Sequence, residues 1–294
     1  MPVAVRKQTP VSVTKPPVRK VSSGGGLFSR LQDIHDDLDD SLNVLVYGQS
    51  GSGKTTFWST FKGPILALVC SGGKRSGELR SIDDTPEMKK KIKKLTLEKS
   101  DEVVEAVALL KGQWSHFNTV VIDHITSFCD LVLCEILGLD QLPAQKSWGM
   151  AKQQDYGQMT LQVKEHFKAL LDLPQNIVFV AQERTFNSKE DNVDSDLVKP
   201  TIGAAVTPAI SGWLNPACDY VLQTFKRGKM VEKTRKIGKE EQTYMEREEG
   251  IEYCLRTEPH EVYMTKFRIP RGRVLPSVIV DPNYEKLMKV IQGG

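Results

Sequence analysis

Between Gly48 and Thr55 the chain reads GQSGSGKT, a complete GxxxxGK[ST] pattern. Gly48, Gly51 and Gly53 allow the backbone to wrap tightly with its N–H groups turned inward, an arrangement that suits phosphate. Gln49, Ser50 and Ser52 fill the loop between them, and Lys54, Thr55 and Thr56 follow it. Lys54 is spaced to reach β- and γ-phosphates, the Thr55 hydroxyl to hold Mg2+, and a helix starting near Lys54 adds its positive end. The chemistry these residues specify is the binding of a nucleoside triphosphate with Mg2+. A glycine-rich turn with no ligand is the bland alternative. The apolar run before the loop (Leu42 to Tyr47) and the helix-compatible segment after it argue against that alternative.

A second piece lies in TVVIDHITSF, Thr119 to Phe128, where a β-branched apolar run ends in Asp123. An acid at the carboxyl end of a buried strand sits where open α/β sheets bind ligands, and Asp123 would orient the magnesium shell with Thr55. The competing role is a helix N-cap. In many ATP-hydrolysing proteins the next residue is a Glu that activates water; here it is His124. A third piece is YMTKFRIPRG, which puts Lys266 and Arg268 two apart on an expected strand and so on one face. Two such cations can offset charge on a departing γ-phosphoryl group, or can simply protect an exposed sheet edge.

These residues need a framework, and the pattern supplies one. Short all-apolar strands are expected at Leu42–Tyr47, Ile65–Val69, Thr119–Asp123 and from Asn176 to Gln182. Between them fall a helical face at Val103, Val107 and Leu110 and another at Val163, Phe167, Leu170 and Leu171, the latter stopped by Pro174. One strand is expected between Lys54 and Asp123. The β, α alternation predicts an α/β fold, a mostly parallel sheet with helices on both faces. Beyond Leu173 the pattern moves towards period two in DYVLQTF, IEYCLRT and VYMTKFRIP, which predicts antiparallel strands. Residues 226–249, charged throughout, read as an exposed hairpin or arm, and the C-terminal DPNYEKLMKVIQGG as a helix with Asp281 as N-cap and Pro282 at its first position.

The chain has 294 residues, 39% hydrophobic and 26% charged, with a net charge of +3. That is the profile of a soluble globular protein, with length for one large domain or two small ones. Residues 1–26 hold five basic residues, no acid, four prolines and a Gly run, and read as a disordered basic tail in front of a domain spanning 27–294. The prolines count against a transit peptide. Five cysteines make no metal-like spacing with the five histidines and suit a reducing cytoplasm. With no apolar run of 18 residues, no membrane span is expected.

With these pieces in place, the chain resembles the RecA-like branch of P-loop ATPases. Members of that branch carry the water-activating Glu after the second strand. The resemblance therefore implies Glu78, in VCSGGKRSGELRSI, as catalytic base, with Glu183 the runner-up. It implies that Gln182, at the end of NIVFVAQE, senses the γ-phosphate, an amide being able to donate to a phosphate oxygen and accept from water. It implies that Lys266 and Arg268 act in trans on a neighbouring subunit's site, hence a homo-oligomer. Across roughly residues 42–292, the phosphate loop together with VCSGGKRSGELRSI, VVIDHITS, KSWGMAKQQDYGQM, VFVAQE and TKFRIPRG is similar to the small RecA-core ATPases encoded by bacteriophages, including those that anneal single-stranded DNA. The resemblance implies an ATP-dependent, DNA-stimulated protein of recombination in a host cytoplasm. His124 and the basic tail depart from the pattern.

Residues bearing on DNA are Lys146, Trp148 and Lys152 in one segment and Arg184, Phe186 and Lys189 in another, cations for phosphates and rings for bases. Five acids, Glu183, Glu190, Asp191, Asp194 and Asp196, oppose them in the second segment. The basic run Lys89 to Lys94 is a further candidate, though solvated faces commonly carry such runs. Open alternatives are a helicase-type motor, a P-loop small-molecule kinase and a nucleotide-gated adaptor. The tail leaves open a partner such as a single-strand-binding protein.

Overall fold

Every residue of two interior strands is buried, and that follows from how the sheet is covered. The computed structural model describes residues 41–70, 78–140, 151–186, 200–237, 240–269 and 273–293. The tail 1–26 and residues Lys146, Trp148, Lys189, Glu190, Asp191, Asp194 and Asp196 lie outside the described residues.

In chain order the elements are β1 (Asn43–Gly48), α1 (Lys54–Ser59), β2 (Ile65–Val69), a 3-10 turn (Glu78–Ser81), α2 (Pro86–Lys91), β3 (Ile92–Thr96), α3 (Glu102–Leu110), β4 (Thr119–Asp123), α4 (Ile125–Leu137), α5 (Gln153–Leu171) and β5 (Asn176–Phe186). They continue with β6 (Thr201–Ala204), α6 (Pro208–Ala217), β7 (Tyr220–Ile237), β8 (Glu240–Arg256), β9 (Lys266–Phe267), β10 (Val278–Val280) and α7 (Tyr284–Gln292). The sheet order is β10-β8-β7-β1-β5-β4-β2-β3. From β7 to β3 every neighbouring pair is parallel, whereas β8, β9 and β10 pair antiparallel. Strand β5 lies between the loop-bearing β1 and the acid-bearing β4, the order of a RecA-like P-loop core.

Alternation along the strands splits the core in two. Leu45, Tyr47, Leu66, Leu68, Val120, Ile122, Ile177 and Phe179 face α3, α4, α5 and α6. Val44, Val46, Ala67, Val121, Val178 and Val180 face the other way, onto Phe57 and Trp58 of α1, Phe61, and Leu287 of α7. All five residues of β2 and of β4 are buried, so these strands read as unbroken apolar runs. The five cysteines are buried. Burial pushes the Cys129 and Cys218 thiols up to about 12, so they pack as apolar residues.

Several local expectations change. Two strands, β2 and β3, lie between Lys54 and Asp123 where one is expected. The second hides inside the basic run: Lys89, Lys90 and Lys91 end α2, while Lys93 and Lys94 are exposed positions of the edge strand β3. A lysine-studded edge resists pairing with other chains, which accounts for the run without nucleic acid. The N-cap of α7 is Asn283, whose side chain accepts from Lys286 N at 2.8 Å, rather than Asp281. The region 226–249 is the outer part of the β7–β8 hairpin, paired from Gln223↔Arg256 to Ile237↔Glu240 with a shift of register between Gly228 and Met230. The expected strand VYMTKFRIP shrinks to the two residues of β9. Among the described residues, no helix is long and apolar enough to cross a membrane.

Candidate nucleotide site

The phosphate loop is held in shape from below by sterics and from the side by β7. A Cβ on Gly48 would sit 2.2 Å from Thr224 O and 2.4 Å from Thr224 Oγ1, so only glycine lets β1 run that close to its neighbour. Gly51 and Gly53 have φ of 72° and 91°, a region that side chains make strained. Thr224 Oγ1 pairs with Ser52 Oγ at 2.7 Å and donates to Tyr47 O at 3.3 Å, tying the loop to the next strand.

Inside the loop, Lys54 is 8% exposed. Its ammonium donates to Gly48 O and Gln49 O, both at 2.8 Å, and to Gln182 Oε1 at 3.3 Å. Burial draws its pKa down, and the Asp123 and Glu183 carboxylates oppose that. The strand register explains the Gln182 contact: Gly48 is paired with Gln182 on β5 and with Thr224 on β7, so all three meet at one level of the sheet.

Asp123 closes the far side. Its Oδ2 accepts from Trp58 Nε1 at 2.9 Å and from Thr55 Oγ1 at 3.4 Å. The carboxyl is buried, which raises its pKa; the Trp58 hydrogen bond, His124, Lys54 and the Thr55 hydrogen bond hold it down, in that order. Trp58 stands one helical turn after Lys54, completely buried, and escapes a motif search because the motif ends at Thr55. His124 is the N-cap of α4, its Nδ1 accepting from Ser127 N at 3.2 Å. Burial lowers its pKa, against the pull of Asp123, so the imidazole is neutral near pH 7. The helix-capping role weighed for Asp123 thus belongs to its neighbour.

These groups border a cavity of about 730 Å3 lined by Ser50, Gly51, Gly53, Lys54, Thr55, Thr56, Phe57, Ser81, Asp123, His124, Gln182, Tyr253, Asp281, Pro282 and Asn283. That volume lies within the usual range for a small-molecule or cofactor site. The donor set also fits the expected ligands. A hydroxyl and a carboxylate 3.4 Å apart are the hard oxygens that magnesium accepts while keeping several waters. The far wall, Tyr253 of β8 and Asp281 to Asn283 beyond β10, was not legible as part of a site. Tyr253 lies 200 residues from Gly53, and only the antiparallel return of β8 brings it there.

The remaining expected residues are placed as follows. Glu78 heads the 3-10 turn, whose Leu79 packs on the α1 face of the core and whose Ser81 lines the cavity; its side chain lies outside the described residues. Glu183 leaves β5 on the face opposite Gln182, where Gln223 Nε2 donates to it at 3.4 Å. Lys266 and Arg268 sit at the other end of the sheet, beside the start of β7. Lys266 Nζ donates to Asn215 O, Pro216 O and Cys218 O at 3.2, 2.8 and 2.6 Å, closing the carboxyl end of α6. Arg268 pairs with Asp219 at 2.6 Å and donates to Pro216 O at 3.0 Å. The five steps from Asn43 to Gly48 span about 16 Å, so neither cation serves its own chain's phosphate loop.

No curated protein sequence matches the chain. Among solved structures, it is similar to the RadB recombinase (18% identity, 74% of this chain and 87% of that one, TM-score 0.39). It is also similar to a KaiC-like protein from Pyrococcus horikoshii (12% identity, 82% and 89%, TM-score 0.38). The family described as AAA domain matches residues 40–269, most of the chain and the whole of the site except its wall at 281–283. With its loop, acid and strand order, the chain belongs to the AAA domain family and carries a RecA-like P-loop ATPase core.

Proposed function

We propose that this protein binds ATP with Mg2+ in the cavity above β1, hydrolyses it, and couples the cycle to single-stranded DNA in annealing or recombination of bacteriophage DNA. The observation that carries the nucleotide reading is the convergence of Lys54, Thr55, Asp123 and Gln182, from three separate segments, on one cavity. Lys54 would hold the β- and γ-phosphates, Thr55 and Asp123 the metal, and bound magnesium would neutralise phosphate charge as the γ-phosphoryl group leaves. Glu78 would activate the water. Lys266 and Arg268 would reach a neighbouring subunit's site in a homo-oligomer by giving up the α6 carbonyls and the Asp219 carboxylate that they hold in the single chain.

Support for coupling to DNA comes from β5. The strand does not stop at Gln182 but runs on to Phe186, paired with β6. Gln182, Arg184 and Phe186 share one face, and the Arg184 guanidinium lies 5.5 Å from the Phe186 ring centre. A change in what Gln182 touches is thus transmitted along one rigid strand to a cation and a ring suited to phosphate and base.

The test is ATP turnover with and without single-stranded DNA over a salt series, beside calorimetric titration with ATP. Turnover that DNA accelerates, and that salt suppresses through lost phosphate contacts, is the expected result. A protein that gives no heat with ATP would overturn the nucleotide reading. Turnover indifferent to DNA would overturn the coupling.

A further inference from the structure

The hairpin brings one more cation to the phosphate loop. On β7 and β8, Lys226 is paired with Tyr253. The Tyr253 ring lies 3.2 Å from the point where a Cβ on Gly53 would sit, and Lys226 Nζ lies 3.7 Å from the same point on Gly51. One rung of the hairpin therefore rests on the crown of the loop, two residues beyond the Gly48↔Thr224 pair that ties β7 to β1.

Three neighbouring hairpin cations are engaged differently. Arg227 is paired with Glu252 at 2.9 Å, Lys229 with Glu248 at 2.5 Å and Lys233 with Glu246 at 2.7 Å. Among the described residues Lys226 has no ion pair, although β8 is rich in acids. An ammonium facing a loop built to present N–H groups meets positive potential, an unfavourable pairing in an unliganded protein. It becomes favourable when a polyanion lies between them.

We propose that Lys226 binds the nucleotide's polyphosphate in cis, from the chain's own hairpin, with Tyr253 holding that rung against the loop. The proposal rests on the nucleotide reading above, but it concerns a residue outside the motif and a different route from the trans action of Lys266 and Arg268.

Wild type, Lys226→Ala and Lys226→Arg are titrated with Mg-ATP in a calorimeter, with Lys233→Ala as a cation control farther out on the ribbon. A charge-assisted contact is lost in the alanine variant, so its affinity should fall about tenfold to a hundredfold, with arginine restoring most of it. Lys233→Ala should bind as wild type does. Unchanged affinity in Lys226→Ala, or an equal loss in Lys233→Ala, overturns the assignment and leaves the nucleotide reading standing. A wild type that binds no ATP overturns both. Mixing Lys54→Ala with Lys226→Ala subunits separates cis from trans: the cis route expects no recovery of turnover at any ratio, and recovery would refute it. Lys226 is exposed, so these variants should fold, and thermal melts check that they do.

Discussion

Replacing Trp58 by Phe tests whether the magnesium carboxylate is held by the protein itself. The indole N–H donates to Asp123 Oδ2 at 2.9 Å in a site where Trp58 has no exposed surface. A hydrogen bond to a charged group contributes about 1.5–3 kcal/mol. The smaller ring leaves space worth on the order of 1 kcal/mol more, at about 24 cal/mol per Å3 of cavity. At about 2–4 °C per kcal/mol for a chain of this class, melting should fall by roughly 5–15 °C. The pH dependence sharpens the test. Burial raises the Asp123 pKa in the folded state and the Trp58 bond is the first of the contacts that hold it down. Folding stability tied to this group is therefore highest where the carboxyl is protonated. It is lost as pH rises from the ordinary carboxylate range through the raised value. Without the indole the folded pKa climbs further. The variant's deficit should then be largest near neutral pH and shrink on acidification. The acid limb of magnesium-dependent ATP binding should also move to higher pH, because the ionised form is the one that orients metal. Thermal melts and ATP titrations from pH 5 to 8, with and without Mg2+, read both effects. A variant that melts within about 1 °C of wild type, with an unmoved acid limb, would refute the reasoning.

Asp123→Asn removes a buried charge and keeps an oxygen for Trp58, so the apo protein should melt no lower than wild type while losing the magnesium-dependent part of ATP affinity; a lower melting temperature with that part intact would contradict the site. Gly48→Ala would drive a Cβ into Thr224 O and should abolish ATP binding, which titration of the variant reads directly. Lys266→Ala leaves the carboxyl end of α6 with unpaired carbonyls and should lower folding stability by an amount on the order of 1–2 kcal/mol, read as a lower melting temperature, whereas a residue acting only on a neighbour's site would cut turnover and leave the melt unmoved. Glu78→Gln should preserve ATP affinity and stop turnover, and unchanged turnover would remove Glu78 from the mechanism.

The sequence by itself determined the phosphate loop, the acid that faces it and the α/β class. Each of these is local: a glycine spacing, a run of apolar residues ending in a carboxylate, an alternation of two periods. The reading of the Lys89–Lys94 run as a solvated face was also available, but not the strand within it, because Ile92 and Leu95 are three apart and break the period of two. Tertiary structure alone decided what lies around those pieces. Trp58 finds Asp123, and Thr224 finds Ser52, across 65 and 172 residues. Lys226 reaches the loop because β7 runs parallel beside β1, and Tyr253 because β8 returns antiparallel beside β7. Lys266 and Arg268, which as sequence face a phosphate as readily as anything else, are directed onto the end of α6 by the two-residue pairing of β9 with β7. A cation two strand positions from another specifies a face. Which partner that face meets depends on the strand's place in the sheet, and no spacing within the segment encodes it.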